Sequence, residues 1–113
     1  MRTNFTMQDE NIRLVRGDSL SFNIVMYGEI QELDSAYFTI KKDYDSETLV
    51  QKSLSNGITV VEEGVYAVRV APEDTINLDI GRYYYDLQVG CENDVMTILR
   101  GILNLVYDVT KEA

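Results

Sequence analysis

The chain has 113 residues, 19 acidic against 10 basic, and a net charge of −9. That length gives one domain able to bury a single core, and the charge repels nucleic-acid phosphates and anionic membrane surfaces. There is no histidine and a single cysteine, Cys91, which removes the commonest general base, the histidine-dependent nucleophile systems, zinc and iron–sulfur ligation, and any intramolecular disulfide.

Residues 1–11 are polar and acidic without an apolar segment, so no secretory leader is expected there. Residues 1–10 read as a candidate docking arm on a single domain spanning 1–113. From there the dominant period is two, the signature of half-buried strands. Leu20, Phe22, Ile24 and Met26 alternate with Ser19, Ser21, Asn23 and Val25. Ala36, Phe38 and Ile40 alternate with Tyr37, Thr39 and Lys41. Tyr66, Val68 and Val70 come next, then Tyr83, Tyr85, Leu87 and Val89, then Leu103, Leu105, Tyr107 and Val109. Weaker strand patterns near 5–8, 12–15, 48–53 and 58–61 bring the expected total to seven to nine.

Punctuation falls between these runs. Arg16-Gly17-Asp18, Tyr27-Gly28-Glu29, Asn56-Gly57 and Glu62-Glu63-Gly64 are turn signals. Residues 72–80 predict one short helical turn, capped by Asp74 or Thr75. Gly90 to Asp94 reads as a hairpin loop holding Cys91, and Gly101 as a bulge or bend in a final strand that crosses between sheets. Many short strands at this spacing predict an all-β, antiparallel two-sheet sandwich, with a small β-barrel as the alternative.

The segment Asp79-Ile80-Gly81-Arg82-Tyr83 has D-x-G-x-Y spacing. It resembles the tyrosine corner of immunoglobulin-like sandwiches, in which a Tyr hydroxyl bonds back to the backbone just upstream. Tyr85 stands where antibody domains carry a cysteine.

Signals for chemistry are few. Asp43, Asp45 and Glu47 alternate, a pattern that can hold calcium on a loop, although the glycine and distal glutamate of an EF-hand are missing. No phosphate-binding glycine motif is present, and no cofactor is expected. Arg16-Gly17-Asp18 spells an adhesion tripeptide but is better explained as a turn. Acidic neighbours of Cys91 suppress its thiolate. Tyrosine is the enriched side chain, with eight copies. Because Tyr83, Tyr84 and Tyr85 are consecutive they alternate between faces, which turns Tyr84 outward. Tyr37, Tyr44 and Tyr84 are the candidate interface residues.

The order of three segments resembles a family of small structural proteins from tailed bacteriophages and prophages, including the N-terminal domain of upper baseplate proteins. Those segments are Val15-Arg16-Gly17-Asp18-Ser19-Leu20-Ser21-Phe22, then Gly81-Arg82-Tyr83-Tyr84-Tyr85-Asp86-Leu87-Gln88-Val89 preceded by Asp74-Thr75, and Val95-Met96-Thr97-Ile98-Leu99-Arg100-Gly101-Ile102-Leu103. The resemblance implies a non-enzymatic virion or tail module that contacts other virion or tail proteins and forms a homo-oligomer. It also implies a location in the virion or the bacterial host cytoplasm. The charge leaves an alternative open: an acidic phage-encoded inhibitor that occupies the basic groove of a host nucleic-acid-handling protein.

Overall fold

The computed structural model describes residues 8–26 and 32–109. Most of the 1–10 arm therefore lies outside the described residues, as does the Tyr27-Gly28-Glu29 turn. Nine strands are described: β1 (Gln8–Asp9), β2 (Ile12–Val15), β3 (Leu20–Val25), β4 (Ser35–Lys41), β5 (Thr48–Leu54), β6 (Gly57–Glu62), β7 (Val65–Val70), β8 (Gly81–Cys91) and β9 (Asp94–Val106). One short helix, α1 (Pro72–Thr75), separates β7 from β8.

Hydrogen bonding runs along the path β1-β9-β8-β4-β5-β6-β7-β3, with β2 also on β9. The path folds into two layers. Phe22 on β3 and Phe38 on β4 lie four strands apart along it, roughly 19 Å in a flat sheet at the usual strand spacing. Their ring centroids are 5.7 Å apart. The only join between layers along the path is the short pairing of Ser53 with Gly57 and Leu54 with Ile58. One layer is β1/β2-β9-β8-β4-β5 and the other is β6-β7-β3. Among the described strands β3 pairs only with β7, so the path does not close into a barrel.

This is an immunoglobulin-like sandwich. The two layers keep the strand arrangement of a variable-type domain, and the chain passes from β5 straight to β6. The alternating residues of both layers form the core, including Ile24, Phe38, Ile40, Ile58, Val68, Tyr83, Tyr85, Leu87 and Leu103. In antibody domains a buried Trp packs on an inter-sheet disulfide. Here Phe38 packs on Phe22 at 5.7 Å and on Tyr85 at 5.5 Å. An aromatic trio fills the same place by burial alone.

Local details depart from the sequence expectations. Asp74 does not begin α1: the N-cap is Ala71, and Asp74 Oδ2 accepts the Ala71 N–H at 2.7 Å from inside the first turn. Thr75 is buried, and its Oγ1 accepts the Gly17 N–H at 3.0 Å. Cys91 is not a loop residue; it ends β8, buried, because the hairpin needs only Glu92 and Asn93, both at positive φ (52° and 73°). β9 ends at Val106, and Tyr107 and Val109 are exposed.

Gly101 is not a bulge. The register shift in the β8–β9 pair lies opposite Ile98, between the pairs Leu87–Leu99 and Gln88–Thr97, and Gly101 pairs regularly with Tyr85. β9 stays beside β8 throughout and does not change layers. The glycine is needed because another backbone comes close. A Cβ at Gly101 would sit 1.9 Å from the carbonyl oxygen of Glu10. That carbonyl turns inward between β1 and β2 and accepts the Tyr85 hydroxyl at 2.6 Å. Asn11 Oδ1 accepts the Ile102 N–H at 3.2 Å, so its side chain takes a backbone acceptor's part at the kink. Residues 8–10 are thus part of the sheet rather than a free arm.

Candidate functional site

The tyrosine corner is built at the start of β8. Tyr83 is buried, and its hydroxyl donates to the Asp79 carbonyl at 2.6 Å. Lys42 closes the corner from outside, with Nζ 4.6 Å from the Tyr83 ring centroid and donating to the Arg82 carbonyl at 3.0 Å. Gly81, at φ 149°, faces that ammonium. Burial raises the Tyr83 hydroxyl pKa, the nearby Asp79 charge adds to this, and the hydrogen bond to Asp79 opposes it. Asp79, Gly81 and Tyr83 are thereby a structural joint between α1 and β8.

Strand alternation that buries Tyr83, Tyr85 and Leu87 must turn Tyr84, Asp86 and Gln88 to the opposite side. The outer face of the five-stranded layer is set by register. Across it, Tyr37 stands beside Gln88 and Gln88 beside Thr97. In the middle row Thr39 pairs with Asp86, Asp86 with Arg100, and Arg100 with Asp9. In the third row Lys41 pairs with Tyr84, and Tyr84 with Ile102. These side chains line one shallow open groove together with Tyr44, Asp43 and Gln51.

Two of the three candidate interface tyrosines meet. Tyr44, from the β4–β5 turn, stacks on Tyr84 with centroids 4.5 Å apart and planes 30° apart. Tyr44 is 65% exposed, so most of its ring is available. Tyr37 is also exposed but lies four residues along β4 from the Tyr84 row, about 13 Å away at the usual strand rise. The tyrosines therefore bracket the face, with the charged row between them.

Asp86 is the group that sequence inspection misses. Its carboxyl pKa is raised by burial, against the lowering effect of Lys41 and Arg100. The Arg100 Nε lies 3.6 Å from Asp9 Oδ1, with both side chains well exposed. An exposed pair of this kind is worth under about 1 kcal/mol and leaves Arg100 free to re-pair. Cross-strand register is the signal that would have located Asp86, and register is not visible in local periodicity.

Other candidates have structural uses. Asp43 Oδ1 accepts the Tyr44 N–H at 2.8 Å, and Ser46 Oγ accepts the Asp43 N–H at 2.9 Å. Asp43 of the acidic run thus closes the turn that carries Tyr44, with Ser46 as its partner. Among the described residues no group of three or more His, Cys, Asp or Glu side chains is placed to hold a metal ion. Arg16 of the Arg-Gly-Asp tripeptide turns toward the corner, donating to the Leu78 carbonyl at 3.4 Å and pairing with Asp108 at 3.7 Å. Cys91 Sγ donates to the Glu32 carbonyl at 3.1 Å. Burial raises the thiol pKa, and four nearby carboxylates raise it further. Among the described residues no helix is long and apolar enough to cross a membrane.

No family model matches the chain, and no curated protein matches it. Solved structures share its outline. A ZIG-8–RIG-5 IG1–IG1 heterodimer is 8% identical over 93% of this chain and 90% of the other, with a TM-score of 0.48. The NK cell receptor NKp44 is 17% identical over 88% and 99%, with a TM-score of 0.49. A strand-swapped dimer of mouse leukocyte-associated immunoglobulin-like receptor 1 is 12% identical over 100% and 96%, with a TM-score of 0.47.

Proposed function

We propose that this chain is a non-enzymatic structural or assembly module, of the kind used in the tails and baseplates of tailed phages and prophages. It works by protein contact and self-associates. The observation that carries the contact reading is the Tyr44–Tyr84 stack, which shares one open face with Tyr37. Exposed tyrosines give large contact area at small entropic cost and anchor protein interfaces. The charged middle row, with Arg100 between Asp9 and Asp86, supplies orientation. The phage setting rests on the order of the three sequence segments described above.

The test is capture from lysates of bacteria carrying an induced tailed prophage, using the full chain and a Tyr44→Ala/Tyr84→Ala variant as bait. Retention of phage structural proteins by the full chain, and their loss with the variant, is the expected result. Salt-sensitive retention of a host nucleic-acid-handling enzyme by both baits would replace this reading with that of an acidic inhibitor.

A further inference from the structure

The chain leaves β5 in one layer and enters β6 in the other through only Ser55 and Asn56. Ser53 and Asn56 exchange both backbone hydrogen bonds. The Asn56 N–H donates to the Ser53 carbonyl at 2.8 Å, and the Ser53 N–H donates to the Asn56 carbonyl at 2.9 Å. The Ser55 N–H donates to the carbonyl of Ile58, a fully buried core residue, at 2.9 Å. Ser55 at φ 68° and Gly57 at φ 97° are both left-handed, which lets so short a crossing close. Gly57 has a second reason to be glycine. A Cβ there would lie 2.5 Å from Lys52 Cδ and 2.9 Å from Lys52 Cγ, and Lys52 is held by its ion pair with Asp74 at 2.8 Å. Asn56 is different. Its backbone is pinned on both polar groups, yet its side chain is exposed, and among the described residues no hydrogen bond holds its amide. It is the one asparagine in the chain followed by glycine. Asparagine amides are thermolabile, and a following glycine leaves the next backbone nitrogen unshielded.

We propose that Asn56 is a site of non-enzymatic deamidation that loosens the join between the two layers. The Gly57 backbone nitrogen gives its proton to solvent hydroxide and attacks Asn56 Cγ. The Cγ–Nδ2 bond breaks, and that nitrogen takes a proton from water and leaves as ammonia. Water then opens the five-membered imide at one of two bonds. Breaking the bond to Cγ leaves aspartate. Breaking the bond to the main-chain carbonyl carbon leaves isoaspartate, in which the chain reaches Gly57 through one additional carbon and the former Asn56 carbonyl becomes a free carboxylate. Either product adds a negative charge to the chain's −9, but only isoaspartate alters the backbone. The longer crossing displaces Ile58, whose carbonyl holds the Ser55 N–H and whose side chain fills the core. The glycine that lets the turn close is therefore also what lets it age. This inference is independent of the partner that the tyrosine face takes.

The experiment is incubation of the full chain in warm, mildly alkaline buffer, folded and unfolded in urea, followed by proteolysis and mass spectrometry. In the folded chain Asn56 should gain the mass of an amide-to-acid change about tenfold faster than Asn93, a barrier lower by about 1.4 kcal/mol. Asn93 is the fair comparison because it is also an exposed turn residue, followed by Asp94 rather than glycine. Asn56→Gln should stay unconverted at the substituted position, because its longer side chain must close a larger ring. Asn56 is not at a positive φ, so this variant should keep the parent's stability. The isoaspartyl form, separated by ion exchange, should unfold at lower urea than the parent, whereas Asn56→Asp should match the parent. An intact Asn56 in the folded chain after the unfolded chain has converted overturns the inference. So does an isoaspartyl form with the parent's urea midpoint.

Discussion

The two faces of β8 use the same residue type in opposite ways. Tyr83 and Tyr85 point inward, and each hydroxyl is committed to a backbone carbonyl at 2.6 Å. Tyr84, between them, points outward and touches only another tyrosine ring among the contacts described above. Buried hydroxyls must be paired, so the inward tyrosines fix the positions of Asp79 and Glu10 as well as filling volume. The outward tyrosine is unconstrained by that requirement and is free to meet a partner. Substitutions on one face should therefore register in stability and on the other in binding.

The largest effect belongs to the inward trio. Phe38→Ala should cost about 4 kcal/mol by chemical denaturation, because it empties the contact between layers. Gly101→Val comes next, at about 3 kcal/mol, since even its Cβ collides with the Glu10 carbonyl that Tyr85 needs. An unchanged midpoint would mean that β1 can leave β9 without loss. Tyr83→Phe should cost about 1 kcal/mol by leaving the Asp79 carbonyl without its donor.

A pH dependence sharpens the contrast further. The Tyr85 hydroxyl is pushed up from 10.0 to about 12 by burial and then by the charges of Glu10 and Asp9. The folded pKa is above the unfolded one, so the folded state holds the proton more tightly. That contribution is complete below pH about 10 and is lost as pH rises toward about 12. Tyr85→Phe should flatten part of the stability decline across this window in urea titrations, with Tyr83 accounting for the remainder in the same direction. The smallest stability effect is expected for Tyr84→Ala, within about 1 kcal/mol. The same change should abolish capture of phage proteins. A large stability loss there would make Tyr84 part of the scaffold.

The alternation of Phe22, Ile24 and Phe38 with polar or outward neighbours makes most strands legible, because period two survives any long-range arrangement. The corner was legible because its hydrogen bond spans only Asp79 to Tyr83. What stayed hidden depends on distant pairing. Gly101 makes sense only beside Glu10, and Tyr44 meets Tyr84 only once β4 and β8 are in register. Cys91 looked like a loop residue because nothing local shows that Glu92 and Asn93 complete the turn unaided.

The parallel pairing of β2 with β9 joins Ile12 to Leu103 and Val15 to Val106. The partners lie 91 residues apart (103 − 12), so β2 is made well before the strand that covers it. Closing a loop of that length is slow compared with forming the β8–β9 hairpin. Until residue 106 emerges, Leu14, buried in the finished molecule, has no strand beside it to complete its cover. The nascent chain thus carries an unsealed margin until β9 is made, which limits how long it can wait without engaging a neighbour.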